Sequence, residues 1–125
     1  VSIGNYVRLG DYVRLGNDVH LGNRVSLGYF VRLGNGVSLG DYVSLENRVS
    51  LVSIYHKYIG ALVVNTDNVL IRIGCEVHPI EQWLGHGSKL AEKHNESLWW
   101  EQTGKYMLEL LISEANLLKP QIVRL

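Results

Sequence analysis

The sequence predicts a mainly β fold: a solenoid of about three coils over residues 1–54, closed by a β-hairpin and a two-helix cap over residues 55–125. Three observations predict it. Nine consecutive six-residue units open the chain, from VSIGNY to VSLVSI, with valine at 1, 7, 13, 19, 25, 31, 37, 43 and 49 without exception. Each unit carries Ile or Leu two places after its valine, so V-x-L has the period-2 alternation of a strand with one buried face. After Ile54 the period ends, and longer apolar runs with strand and helix spacing replace it.

Taking the elements in order, each unit reads as a very short strand plus a bend. The bend opens with Gly and continues with Asn, Asp, Tyr, Arg or another turn residue; Gly, Asn and Asp accept positive φ at little cost, so the chain can turn there without strain. Three bends of six residues close one coil of eighteen. In such a coil Val and Leu point inward and the residue between them points out. Stacking every third unit places Ser2, His20 and Ser38 on one outer face, Arg8, Ser26 and Ser44 on a second, and Arg14, Arg32 and Ser50 on a third. Tyr6, Arg24 and Tyr42 stack along one corner, Tyr12, Phe30 and Arg48 along another, and Tyr29 sits at a turn where an exposed ring invites a cover. The first coil starts at Val1 with no capping segment, so its open end is expected to be covered, by residues before Val1 or by another subunit.

Framed as aliphatic, Gly, two variable residues, a small or β-branched residue and one more variable residue, Leu9-Gly10-Asp11-Tyr12-Val13-Arg14 fits at every defined position. This pattern resembles the hexapeptide-repeat superfamily, the left-handed parallel β-helices, and the resemblance covers residues 1–54. It implies left-handed coiling. The superfamily includes acyltransferases that use a histidine as general base and hold acyl-CoA between subunits of a trimer, and γ-class carbonic anhydrases that bind zinc through three histidines. The later stretch IGCEVHPIEQWLGHGSKLAEKHN, with its Gly-Cys dipeptide and Ile80-Glu81-Gln82-Trp83, is similar to the tail of small hexapeptide-repeat proteins of phages and prophages.

The repeat decays at Glu46, which takes a glycine position, and ends near Ile54. Tyr55 to Val64 and Asn68 to Cys75 read as two strands joined by the turn Asn65-Thr66-Asp67-Asn68, a hairpin. His78-Pro79-Ile80-Glu81 reads as a helix start with Pro79 at the first helical position. That helix carries Ile80, Trp83 and Leu84, is weakened by Gly85 and Gly87, and resumes through Leu90 to His94. A second helix is expected from about Ser97 to Leu118, buried through Trp100, Met107, Leu110, Leu111 and Leu118 and ended by Pro120.

His20 is the one coil histidine, and a general base needs both an orienting partner and a pocket, so it reads as a solvent-facing residue and only a candidate base. Cys75 and His78 form C-x-x-H, with His86 and His94 further on, which supplies at most one of the two knuckles of a zinc site. No metal or cofactor is therefore expected, and Cys75 reads as a buried strand residue and His78 as a helix cap. Arg14 and Arg32 stand one coil apart and repel unless an anionic ligand or a neighbouring chain's carboxylate neutralises them. With Arg8, Tyr12, Tyr29, Phe30 and Tyr42 they form the candidate ligand or interface set, since Tyr and Arg are enriched in such contacts. No threonine precedes Thr66, which excludes the outward Thr-x-Thr arrays of ice-binding solenoids.

Twelve Lys and Arg balance twelve Asp and Glu, so nothing draws the chain to nucleic acid or a membrane. The single cysteine fits a reducing cytoplasm, that of a bacterial host if the chain is phage-encoded. The leading expectation is a non-catalytic, homo-oligomeric binding or scaffold protein, trimer or dimer, with a protein target as candidate partner and a phage accessory or host-inhibitory role. The alternatives are a minimal acyltransferase using acyl-CoA and an anion or nucleotide trap built on the stacked arginines.

Overall fold

The computed structural model describes residues 1–118 and 122–124; the ending of the last helix at Pro120 lies outside the described residues. Nine short strands follow the repeat: β1 (Ser2–Ile3), β2 (Arg8–Leu9), β3 (Arg14–Leu15), β4 (His20–Leu21), β5 (Ser26–Leu27), β6 (Arg32–Leu33), β7 (Ser38–Leu39), β8 (Val43–Leu45) and β9 (Ser50–Leu51). Every pairing among them is parallel and joins residues eighteen apart, such as Ser2 with His20, Arg8 with Ser26 and Arg14 with Arg32. Three sheets result, β1-β4-β7, β2-β5-β8 and β3-β6-β9, so the expected faces form as stacked. Val19, Val25, Val31, Val37 and Val43 are fully buried, and Leu21, Leu27, Leu33, Leu39 and Leu45 nearly so.

The glycines serve a different purpose from the one their flexibility suggests. Positive φ falls on the second turn residue of the corner, at Tyr6, Tyr12, Asp18, Arg24, Phe30, Tyr42 and Arg48, and among the repeat's corners only Gly36 is a glycine there. The repeat glycines are needed for closeness. Those under another coil donate their amide to the carbonyl of its strand's last residue, as Gly22 does to Leu39 at 2.8 Å, and Gly40 donates to Val64 of the cap. A Cβ on Gly22 would lie 2.7 Å from the Asp41 nitrogen, and one on Gly10 would lie 2.6 Å from that of Tyr29. Glu46 and Val52, which replace this glycine in the last coil, are exposed. The repeat decays where no further coil presses on the corner.

Beyond the coils come β10 (Ile54–Tyr55), β11 (Ile59–Val64), β12 (Val69–Ile73) and β13 (Glu76–Pro79). The hairpin forms, with Asn65 donating its amide to Asn68 O at 2.9 Å, but it has a third strand. His78 and Pro79 close β13, paired with Ile71 and Leu70, and the expected helix start falls one residue later, at Ile80. Pro79 immediately precedes α1 (Ile80–Lys93). The end of β11 also runs parallel to β7, pairing Val64 with Leu39, so the first sheet continues from the coils into the meander. β14 (Ile122–Arg124) pairs antiparallel with β8 on the second sheet.

α1 is unbroken through Gly85 and Gly87, and Gly87 is buried. After α2 (Ser97–Trp99) comes a wider π-helical turn, Trp100–Gly104, and then α3 (Lys105–Leu118). Trp100, Met107, Leu111 and Leu118 are buried as expected, whereas Leu110 is exposed and Leu108 and Ala115 are buried instead. Successive helical residues point about 100° apart, which turns Leu110 away from the core line through Leu111. Val52 donates its amide to the Glu114 carboxylate, which ties α3 to the last coil. One apolar core runs from Val19 through Leu62, Ile71 and Trp83 to Leu118. Helical and extended residues are close in number among the described residues, so the fold is mixed α and β and not mainly β. No helix among the described residues is long and apolar enough to cross a membrane.

The steric reading of the corners is testable. Gly22→Ala should lose about 2 kcal/mol or more in urea unfolding, because the new methyl would meet the Asp41 carboxylate and, at 2.7 Å, the backbone of Gly40 and Asp41 in the next coil. Glu46→Ala, at the same repeat position under no coil, should stay within about 0.5 kcal/mol of the parent.

Candidate functional site

Two regions gather chemistry-bearing side chains: the corners and faces of the coils, and a cleft in the cap.

At the coils, the one-residue bend at each corner throws its side chain outward, and the eighteen-residue register stacks these side chains. Tyr12 and Phe30 stack face to face, centroids 5.0 Å apart and planes 12° from parallel. The Arg48 guanidinium lies 5.6 Å over Phe30, and Tyr29 meets Phe30 edge-on at 5.8 Å. On the other corner Arg24 sits 4.7 Å over Tyr6, with Tyr42 in the next coil up. These two columns flank the face of Arg8, Ser26 and Ser44, where an open groove of about 1020 Å³ is lined by Tyr6, Arg8, Arg24, Ser26 and Tyr42. Round the second column a groove of about 700 Å³ holds Tyr12, Arg14, Phe30 and Arg32. Arg14 and Arg32 are register partners, both exposed, and neither they nor Arg8 form an ion pair among the described residues.

His20 lies exposed between Ser2 and Ser38, and among the described residues nothing hydrogen-bonds to its ring. It therefore lacks the orienting partner a general base needs.

Cys75 and His78 differ from expectation. Cys75 is exposed in the β12–β13 turn, where Gly74 takes a φ of +61°, and is not a buried strand residue. His78 is a β13 residue rather than a helix cap; its Nε2 lies 2.8 Å from Glu76 Oε1 and its ring meets Trp83 edge-on at 5.4 Å. No group of three or more His, Cys, Asp or Glu is arranged to hold a metal ion among the described residues.

The cap cleft was not read from the sequence. It has an empty volume of about 440 Å³, with walls of Tyr58, Trp83, Trp99 and Trp100 and a rim that includes Cys75, Glu76, His94 and Glu96. Trp83 is anchored by Nε1 donating to Ile71 O at 2.8 Å. Trp100 lies nearly parallel to it, 6.0 Å away. A Cβ on Gly87 would meet the Trp100 ring at 2.5 Å and one on Gly104 would meet it at 2.7 Å, so both glycines make room for the indole. The Gly87 that weakens α1 by propensity is a seat for Trp100. Trp99 meets Tyr58 edge-on at 5.0 Å.

The rim is ion-paired. Glu76 holds His78 through one oxygen and His94 through the other, at 2.8 Å each, with Lys93 Nζ at 3.3 Å. The hydrogen bonds from His94 and then His78 pull its carboxyl down to about 2. Glu96 bonds Lys57 Nζ at 2.6 Å, which holds that carboxyl below its usual range and raises the lysine. One sequence signal points here: all three tryptophans fall between residues 83 and 100.

No protein-family model, curated protein or solved structure matches the chain.

The Glu76 bridge ties β13 to the end of α1, and its pH dependence has a definite sign. A carboxyl lowered from 4.5 to about 2 on folding stabilises the fold fully above the higher value and loses that contribution as pH falls toward the lower. Glu76→Gln should therefore lower the Tm at neutral pH, and the gap to the parent should close as pH falls from about 4.5 to about 2. A gap that stays constant down to the lower limit would remove the ionised bridge as its cause.

Proposed function

We propose that this chain is a non-catalytic, homo-oligomeric binding or scaffold protein, a left-handed parallel β-helix of about three coils whose aromatic and arginine corners are its contact surface. A phage accessory or host-inhibitory protein is the setting that fits this reading. One observation carries it: Tyr6, Tyr12, Phe30 and Tyr42 hold φ of 59–63° at exposed corners. An L-residue in the left-handed region costs roughly 1 kcal/mol, and Gly or Asn takes the position more cheaply. An exposed ring recovers little of that within one chain; ring stacking returns about 0.5–1.5 kcal/mol at the Tyr12–Phe30 pair. Burial against another chain recovers more.

A second copy suits the surface because the coils carry both signs. Arg8, Arg14, Arg24, Arg32 and Arg48 and the carboxylates Asp11, Asp18, Asp41 and Glu46 are all exposed, and none is in an ion pair among the described residues. Light scattering at several concentrations should give the mass of a dimer or trimer. The triple variant Tyr12→Asn, Phe30→Asn, Tyr42→Asn should run as a monomer with stability within about 1 kcal/mol of the parent, since asparagine accepts the same backbone. A monomeric parent sinks the proposal.

The anion-trap reading is favoured by the register pairing of Arg14 with Arg32, neither of which is in an ion pair among the described residues. Serine is the repeat's commonest residue at that outward position, so Arg14→Ser with Arg32→Ser leaves the repeat intact. Calorimetric titration with inorganic pyrophosphate should show binding that this double variant loses; binding that survives it ends the trap reading.

A further inference from the structure

We propose that the cap cleft between α1, α2 and the β12–β13 turn binds a methylated ammonium group, of the kind carried by choline. Four aromatic side chains, Tyr58, Trp83, Trp99 and Trp100, wall a cleft whose rim carries two carboxylates, Glu76 and Glu96. Aromatic faces attract a cation through the ring quadrupole, best from tryptophan, and a methylated ammonium loses little hydration on entering apolar walls. The cleft is small and its walls are mostly apolar, which suits a compact cationic head group.

The chain supplies an internal precedent. The Lys57 ammonium lies 5.7 Å from the Tyr58 ring centroid while bonding Glu96 at 2.6 Å, so the rim already pairs one ammonium with an aromatic ring and a carboxylate. Trp99 and Trp100 line the same cleft as Glu76, whose carboxylate is held by His78, His94 and Lys93, and no lysine is among the residues lining the cleft. A primary ammonium needs three hydrogen-bond acceptors and stays at the rim; a trimethylated one has no N–H and needs none. Trp99 bonds His56 Nδ1 at 3.3 Å and Trp83 bonds Ile71 O, so two of the walls are fixed before any ligand arrives. The folding of Trp100 onto two glycines fixes the third.

The three tryptophans all line the cleft and report on it directly. The full chain is titrated with choline at constant ionic strength and constant pH, and tryptophan emission is followed. A saturable change is expected. The uncharged isostere 3,3-dimethylbutan-1-ol should bind at least about tenfold more weakly. Glu96→Gln should weaken choline but not the alcohol, and Trp99→Phe should keep more choline affinity than Trp99→Leu, with the Tm of each variant recorded to confirm folding. Nα-acetyl-trimethyllysine in a parallel titration separates a protein-borne group from a free one, and tighter binding of either supports the cage. Equal binding of choline and the alcohol would make the cleft a plain apolar pocket and overturn the proposal. So would the lack of any saturable response below about 100 mM choline.

Discussion

The close approach of one coil to the next is the constraint from which the rest of the structure follows. Where glycine opens a corner, its amide reaches the carbonyl of the strand stacked on it at 2.7 to 3.0 Å, and a Cβ there would meet atoms closer than 3 Å. The residue after the glycine is bound by the same closeness. Asn23, Asn35, Asp41 and Asn47 each accept, through side-chain oxygen, the amide of the preceding coil's corner. The third position turns the chain in the left-handed region. Contact surface is written into this corner mainly at that position, with Tyr, Phe and Arg, and once at the second position, where Tyr29 stands against Phe30.

The same constraint explains which parts of the molecule were legible in the sequence. A repeat imposes one local environment nine times, so the register of Arg14 on Arg32 and the stacking of Tyr12 on Phe30 follow from counting in eighteens. The role of the glycines did not follow. Flexibility and closeness select the same residue, and a lone sequence offers no way to separate them until the neighbouring backbone is in view. Glu46 and Val52 carried the distinguishing signal, since glycine disappears where the next coil does.

In the cap nothing repeats, and errors there have a common physical source. Gly87 reads as a helix weakness because propensity is local, whereas its purpose is the Trp100 ring from another helix. Strand β13 was hidden because His78-Pro79 carries helix-start chemistry, while its pairing with Ile71 and Leu70 is decided by a neighbouring strand. Leu110 and Leu108 exchange places because one face of α3 is chosen by packing and not by hydropathy alone. Three tryptophans within eighteen residues were the one available hint of a cleft.

Coils and cap are joined by sharing a backbone and not by apolar contact alone. β11 pairs with β7 at one end and with β10 at the other, so a single strand finishes the first sheet of the coils and starts the meander that carries Glu76 and His78. Asn65 lies against Gly40 as Asp41 lies against Gly22, which makes the cap's first turn a substitute for a fourth corner. Glu114 takes the Val52 amide at the third sheet, and burial raises that carboxyl above its usual value. The two ends of the molecule thus divide the labour. A repeating surface can present the same group many times but cannot enclose anything, because every corner of it faces outward. Enclosure needs side chains converging from different elements, and the chain provides that only where the repeat has stopped.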